Sequence, residues 1–511
     1  MTNSSDDEQA IRTQPLDLLI THVSAILGGT SDEQFRIAPD TSIGIRDGRI
    51  AAIGPDARGG GAQAARTLDG TDLIAAPGLI STHNHVFQNL VKGLGDELAV
   101  WPIVESVILA TAEEMTAEEV YVASLACGIE GLKSGRTALL DFMVGRPEIE
   151  QQRAVLRSFR DSGVRGWLGR ATRELHHEAA HRDPWYIPLD EALDQITQLA
   201  GEYDNGLGVP AACPAPGNPR TMTTTGLVRV AEFARERGCL ITIHLAEYDE
   251  ERDEGVERWG TPTIAKLEEI GFLGPNVVAA HSVLVHDDEI AILARTGTKV
   301  SYNPVSNSYC GVGVAPIVRM LEQGVSVSIA TDGSSVNTQD MIQSLKFGAL
   351  LQKADRKDSR AINARDMLRM ATHSGAVALG VPDELGVIAV GRRADLFLWD
   401  PYELSSSPVH DAISGLVYAA GPQNVRTVLV GGEVVIEDGR STKVDERELG
   451  RELARVAAAC AQRTGTTKFV TGRRFTPFTE YERWTAGPGP FATAAAGVGH
   501  HSGDTSASTG S

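Results

Sequence analysis

Apolar and polar positions change rhythm twice along this chain. In "SIGIRDGRIAAIG" they alternate with period two around Asp47-Gly48, and in "RTVLVGGEVVIEDGR" around Gly431-Gly432. Alternation about such a two-residue turn predicts a β-hairpin. Neither segment can bury a good core alone. Together they predict one small β-sandwich built from both flanks, residues 16–76 and 381–445.

Between the flanks, residues 77–380 repeat a short apolar run followed by a helical pattern. "LITIH" (240–244) precedes a helix near 262–271 with Ile264, Leu267 and Ile270 on one face. "VVAAH" (277–281) precedes "DDEIAILARTG", whose leading acids suit a helix N-terminus. "KVSYN" (299–303) precedes "APIVRMLEQG", with Ile317, Met320 and Leu321 at i, i+3, i+4 and Gly324 as the stop. "SVSIATD" (326–332) precedes a striped helix from about Met341. Repeated β-then-α predicts a parallel sheet, and about 300 residues of it predict an α/β fold of the (β/α)₈ TIM-barrel kind. Residues 446–485 read as a C-terminal helical extension, and the Gly/Ala/Ser/Thr-rich residues 486–511 as a disordered tail.

Composition narrows the function classes. The 511 residues are 42% hydrophobic and 22% charged, ordinary for a soluble globular protein. A formal net charge of −20 argues against nucleic acid and anionic membrane as partners. No apolar run reaches the length of a membrane span, and the N-terminus lacks a signal-peptide layout, so a cytoplasmic location is expected. The cysteines are five in number and never in C-x-x-C pairs, which suggests reduced thiols. Cys310, beside Gly311, has no adjacent base that would make it a nucleophile.

In a barrel, functional groups stand at the C-terminal ends of strands. His83, His85, His244 with Glu247, His281 and Asp332 all fall at such ends. With roughly 30–45 residues per βα unit, His244 belongs to the fifth strand, His281 to the sixth and Asp332 to the eighth. His83 and His85, at i and i+2, share a strand face. Each alone could be an ordinary core or rim residue. Together, three imidazoles and a carboxylate can hold zinc or ferrous iron with one position left for water.

"PGLISTHNHVFQ", "ITIHLAE", "VVAAHSV" and "IATDGSSVN" resemble the amidohydrolase superfamily, in its branch of mononuclear aminohydrolases and chlorohydrolases. Cytosine, guanine and S-adenosylhomocysteine deaminases and triazine hydrolases belong to that branch. The flanking "DGRIAAIG", "LGVIAVGRRADLFLWD" and "VLVGGEVVIEDGR" resemble its sandwich segments. The resemblance implies one divalent transition metal per chain, Zn²⁺ or Fe²⁺, held by His83, His85, His244 and Asp332. It further implies that His281 bonds the activated water or the developing oxyanion, that Asp332 takes a proton, and that Glu247 shuttles one to the leaving group. Binuclear branches place a carboxylated lysine on strand four; the corresponding "GVPAACPAP" has none, so one metal is expected.

Gln88, Trp101, Arg170, Tyr302, Asn303 and Asn307 are candidate substrate-binding residues, with Arg173 beside them. Two positions depart from the branch: Tyr302 stands where it often has a histidine, and Val336 where it often has a serine. The implied activity is hydrolysis of a non-peptide carbon–nitrogen bond in a small planar molecule, by deamination or substituent displacement on an N-heterocycle. The alternative is amide, urea or carbamate hydrolysis of the phenylurea and molinate hydrolase type. A small-molecule substrate and a homo-oligomer are expected. A non-catalytic scaffold would not need the intact ligand set with Glu247. A rival motif, His177-Glu178-Ala179-Ala180-His181, matches the H-E-x-x-H of zinc metalloproteases. Pro184 stops any helix just beyond it, so it reads as a barrel-top loop.

Overall fold

Leu79–His85 is the first of eight parallel strands in the computed structural model, which describes residues 15–469 apart from 56, 58–62, 97, 99, 176–186, 249 and 337. The others are Arg136–Met143, Arg165–Thr172, Ala212–Pro216, Ile241–Leu245, Val277–His281, Lys299–Tyr302 and Val327–Ile329. Ladders join the first four in sequence and the last four in sequence. Strands four and five pack side by side. Closure comes from Asp332–Gly333, just beyond strand eight, which pairs in parallel with Asn84 and His85 of strand one. This is the expected (β/α)₈ barrel.

The sequence explains the two-sided burial. The first two strands are buried along their whole length, as strands covered by helices outside and side chains inside must be. Polar residues form a layer below the histidines: the Thr82 hydroxyl lies 2.8 Å from that of Ser301 and 2.7 Å from that of Ser328. The helix Ala117–Leu132 opens with the capping box Thr116/Glu119, and Glu119 also receives Arg463 from the C-terminal helix Glu446–Thr464 at 2.6 Å.

Both flanks enter one nine-stranded sheet. Its centre pairs Ile74–Pro77, just before the barrel, antiparallel with Leu396–Trp399, just after it. Side-chain alternation divides these strands between two cores. Ala75, Leu396 and Leu398 enter a core private to the flank sheet, whereas Ile74, Phe397 and Trp399 enter the barrel core. The Asp47-Gly48 turn has φ of 50° and 71°, and Gly431-Gly432 has 56° and 79°, the positive values a two-residue hairpin demands. Arg165 of strand three locks the two parts together. Its Nε and Nη2 meet the Asp395 carboxylate at 3.0 and 2.9 Å, both side chains buried. Among the described residues, no helix is long and apolar enough to cross a membrane.

Candidate metal and active site

The ends of strands one, five, six and eight bring His83, His85, His244, His281, Asp332 and Glu247 to one place. Nε2 of His83 and of His85 each lie 3.5 Å from Asp332 Oδ1, and Nε2 of His281 lies 3.8 Å from Asp332 Oδ2. Potential ligand atoms of His83, His85 and His244 fall within 4.8 Å of one another, as do those of His83, His281 and Asp332. All are buried except His244, which is partly so. His281 and Asp332 have φ of 69° and 63°. Such conformations are uncommon outside glycine, although Asp and His adopt them more readily than most residues, and they cluster at functional sites.

Backbone carbonyls set the imidazole orientations. Nδ1–H of His85 donates to Phe142 O and Nδ1–H of His244 to Gly217 O, each at 2.8 Å. Both Nε2 atoms therefore carry lone pairs, and they face each other at 3.3 Å. Burial, then the neighbouring histidines, hold His83 well below the usual imidazole range. Burial also leads the lowering of His244, to about 3, and of His85. Both ring nitrogens of His83 lack a hydrogen-bond partner among the described residues, though fully buried. Converging lone pairs without a proton between them suit a cation, and neutral imidazoles with a carboxylate are the donors zinc or ferrous iron takes.

The remaining two groups have the opposite tendency. Burial lowers His281, but the Glu247 and Asp332 carboxylates outweigh it and the net shift is upward. Glu247 Oε1 lies 3.7 Å from His281 Nε2, and burial raises its carboxyl. Burial raises Asp332 too, but the surrounding histidines outweigh it and hold it low. One site thus contains a carboxyl that favours its proton and a carboxylate that does not.

Beside these groups opens a cavity of about 160 Å³, reached by His244 and Glu247 and walled by Val104, Leu109, Phe142 and Val144. Arg173 lines it as well. Asn303 and Asn307 back His281: Asn307 Oδ1 is 2.8 Å and Asn303 Nδ2 3.3 Å from its Nδ1. Gln88 is buried; its Oε1 accepts from Ser335 Oγ at 2.6 Å, bracing the loop after Asp332.

Two expected pocket residues are placed elsewhere. Tyr302 and Arg170 belong to the outward set of their strands. Ser301 faces the barrel interior, so Tyr302 points to the helix layer, where it meets Gly348 O and Gln352. Gly169 faces strand five, so Arg170 points outward to Gln195 and Pro147 O. Trp101 lies in the helix Val100–Ile103, its side chain outside the described residues, as is the whole H-E-x-x-H segment. Burial pushes the Cys310 thiol up to about 12, against a nucleophilic role.

Asn84 is a supporting residue, as its place on the strand suggests, but composition and spacing missed its partners Arg136, Thr331 and Gln339. Asn84 Oδ1 accepts from Arg136 Nη1 at 3.0 Å and Thr331 Oγ1 at 2.9 Å, and Gln339 Nε2 donates to Asp332 O at 3.2 Å. All four side chains are buried in the seam between strands one, two and eight. Asn84 and Thr331 are chain neighbours of the candidate ligands and Gln339 follows Asp332 closely, whereas Arg136 is distant in sequence.

Residues 74–435 match the amidohydrolase family. The chain belongs to that family. Within it, the chain is 33% identical over 423 residues to a 5′-deoxyadenosine deaminase of Methanosarcina mazei, covering 83% of this chain and 94% of that one. It is 34% identical over 417 residues to a 5-methylthioadenosine/S-adenosylhomocysteine deaminase of Desulforudis audaxviator, covering 81% and 94%. An adenosine deaminase from Xanthomonas campestris with bound zinc superposes with a TM-score of 0.80 at 25% identity, covering 88% of this chain and all of that one. Atrazine chlorohydrolase from Arthrobacter aurescens, complexed with zinc, shares the fold, with a TM-score of 0.79 at 24% identity over 86% and 100%. This amidohydrolase is thus a hydrolytic enzyme of the aminohydrolase and chlorohydrolase branch.

Proposed function

We propose that this enzyme hydrolytically removes an exocyclic amine from an N-heterocycle, with a 5′-modified adenine nucleoside as the first substrate class to assay. The observation that carries it is Glu247: a half-buried carboxyl with a raised pKa, 3.7 Å from His281 and on the wall of a small, largely apolar cavity. A flat ring suits such a cavity, and a departing amine needs a proton donor placed beside it. The names of the deaminase relatives support the same chemistry.

In this proposal His83, His85, His244 and Asp332 hold one Zn²⁺ or Fe²⁺. When bound, such an ion lowers the pKa of coordinated water towards neutrality. Asp332, the carboxylate held low, takes a proton at Oδ2 as water adds to the amine-bearing ring carbon. His281 Nε2–H stabilises the charge that develops on the attacking oxygen. Glu247 carries a proton to the ring nitrogen or the leaving amine, so that ammonia departs neutral. Phe142, Val144 and Leu109 keep bulk water from the ring. A homo-oligomeric state and a cytoplasmic location belong to the proposal as well.

The test is a release assay on the purified enzyme. Ammonia is expected from 5′-deoxyadenosine, 5′-methylthioadenosine, S-adenosylhomocysteine or adenosine. Release of chloride from a chlorotriazine, or of an amine from a phenylurea, with no ammonia from any nucleoside or free base, would replace deamination with the alternative chemistry.

A further inference from the structure

Ala246, between Leu245 and the proton carrier Glu247, sits at φ 52°. Nothing in its side chain favours that left-handed conformation. The turn is held from two sides. Its carbonyl accepts the N–H groups of Val283 and Leu284, each at 2.9 Å, which ties it to the loop after His281. Its N–H donates at 2.8 Å to Oε1 of Glu251, and the Glu247 N–H also bonds to the Glu251 carboxyl.

Glu251 is built for this place. It lies in the first turn of the helix Glu250–Trp259, 4% exposed. Its backbone is fixed too: Thr263 Oγ1 donates to Glu251 O at 2.7 Å, and Glu251 N–H donates to Tyr248 O at 3.3 Å. Its carboxyl does not line the cavity where Glu247 and His244 meet. The residue lines instead a separate cavity of about 580 Å³, together with Tyr248, Thr263 and Val283. Its hydrogen bonds towards the reacting groups run to the turn.

We propose that Glu251 is a positioning residue whose carboxyl clamps the Ala246–Glu247 backbone and so aims Glu247 at the leaving group. This rests on the assignment of Glu247 as proton carrier. The clamp needs an acceptor oxygen, not a charge. Burial pushes the Glu251 carboxyl up to about 8, so a largely protonated group makes these bonds at neutral pH. Glutamine, equal in shape and keeping one carbonyl oxygen, can replace it. A glycine at position 246 adopts the turn without strain and depends less on the clamp.

The test is a set of variants of the full-length, metal-loaded enzyme, read as kcat, KM and metal content. Glu251→Ala is expected to lower kcat about 10–100-fold, the range seen when a supporting partner is lost, with KM and metal content nearly unchanged. Glu251→Gln should restore most of the rate, and adding Ala246→Gly to Glu251→Ala should recover part of it. In the Glu247→Gln background, Glu251→Ala should cost almost nothing further, because the two act through one group. Should Glu251→Ala fail to fold, Glu251→Met fills the same space without an acceptor and carries the same expectations. Near-normal kcat in the Ala and Met variants overturns the proposal. So does a loss of the same size with and without the Glu247 carboxylate, which would mark a general structural defect. Near-normal turnover by Glu247→Gln alone overturns the role of Glu247 itself, and the clamp's purpose with it.

Discussion

Oδ1 of Asn307 lies 2.8 Å from Nδ1 of His281, and this contact decides which nitrogen of that ring faces the reacting groups. With Nδ1–H donating to Asn307, Nε2 is the atom turned to Glu247 at 3.7 Å and Asp332 at 3.8 Å. Asn307→Leu removes the acceptor while keeping the volume. Its kcat is expected to fall about 10–100-fold, as for other partners that orient a functional imidazole. Metal content, read by elemental analysis, should stay at the wild-type value.

The ligand set predicts a stoichiometry. Purified enzyme should carry about one transition metal per chain, the number one converging set of ligands can hold. His83→Ala, which empties the most buried of the imidazoles, should lose that metal. His181→Ala, in the H-E-x-x-H segment, should retain it; loss of metal there would revive the metalloprotease reading.

Glu247→Gln keeps the size and polarity of the side chain but cannot carry a proton. Turnover should fall by about 10²–10⁴, the usual worth of a positioned proton donor. Metal binding should survive, because Glu247 is not in either ligand group.

Asp141, at the end of strand two, accepts the Val86 N–H at 2.9 Å, while its other oxygen has no partner among the described residues. Burial raises its carboxyl to about 8. The folded protein therefore holds a proton there that the unfolded chain releases near pH 4. Stability from this group is complete at low pH and declines as pH rises from about 4 to about 8. Asp141→Asn cannot ionise. Denaturant unfolding at several pH values should show the variant gaining on wild type steadily across that window. A constant difference would contradict the buried-acid account.

The Arg165–Asp395 pair joins the barrel to the flank sheet, and Asp395 Oδ1 also accepts the Gly431 N–H at 2.7 Å. Asp395→Ala leaves a buried guanidinium without its counter-charge. A loss of about 3–5 kcal/mol is expected from such a change, measurable by chemical denaturation. Arg165→Met/Asp395→Leu together should cost less than Asp395→Ala alone.

The barrel and most of the candidate metal site were legible because they depend on periodicity. Strand ends carry the candidate ligands, and the helix–strand rhythm counts the strands, so His244, His281 and Asp332 could be assigned to strands by spacing. Side-chain direction within a short strand was not legible. Tyr302 and Arg170 sit next in sequence to residues that do face inward, and a shift of one position reverses the face. The seam around Asn84, Arg136, Thr331 and Gln339 was also invisible. Its members lie up to 255 positions apart and meet only when the barrel closes. Glu251 left a faint signal, an acid four residues beyond Glu247, but Asp249 and Glu250 lie between them and none stands out.

The central pairing of the flank sheet, Ile74–Pro77 with Leu396–Trp399, has a consequence for the order of synthesis. A ribosome delivers the chain from its N-terminus, so the first flank strands emerge long before their partner exists. The strand Ile74–Pro77 can pair early with Ser24 and Ala25, but its other edge must wait, unpaired, until the entire barrel has been made. Barrel closure has the same delay, since Asn84 and His85 meet Asp332 only at the end of that stretch. A nascent chain arrested before residue 332 therefore carries His83, His85 and His244 without their carboxylate partner, and one arrested before 396 carries an open sheet edge. Both are states in which a chaperone has something to hold.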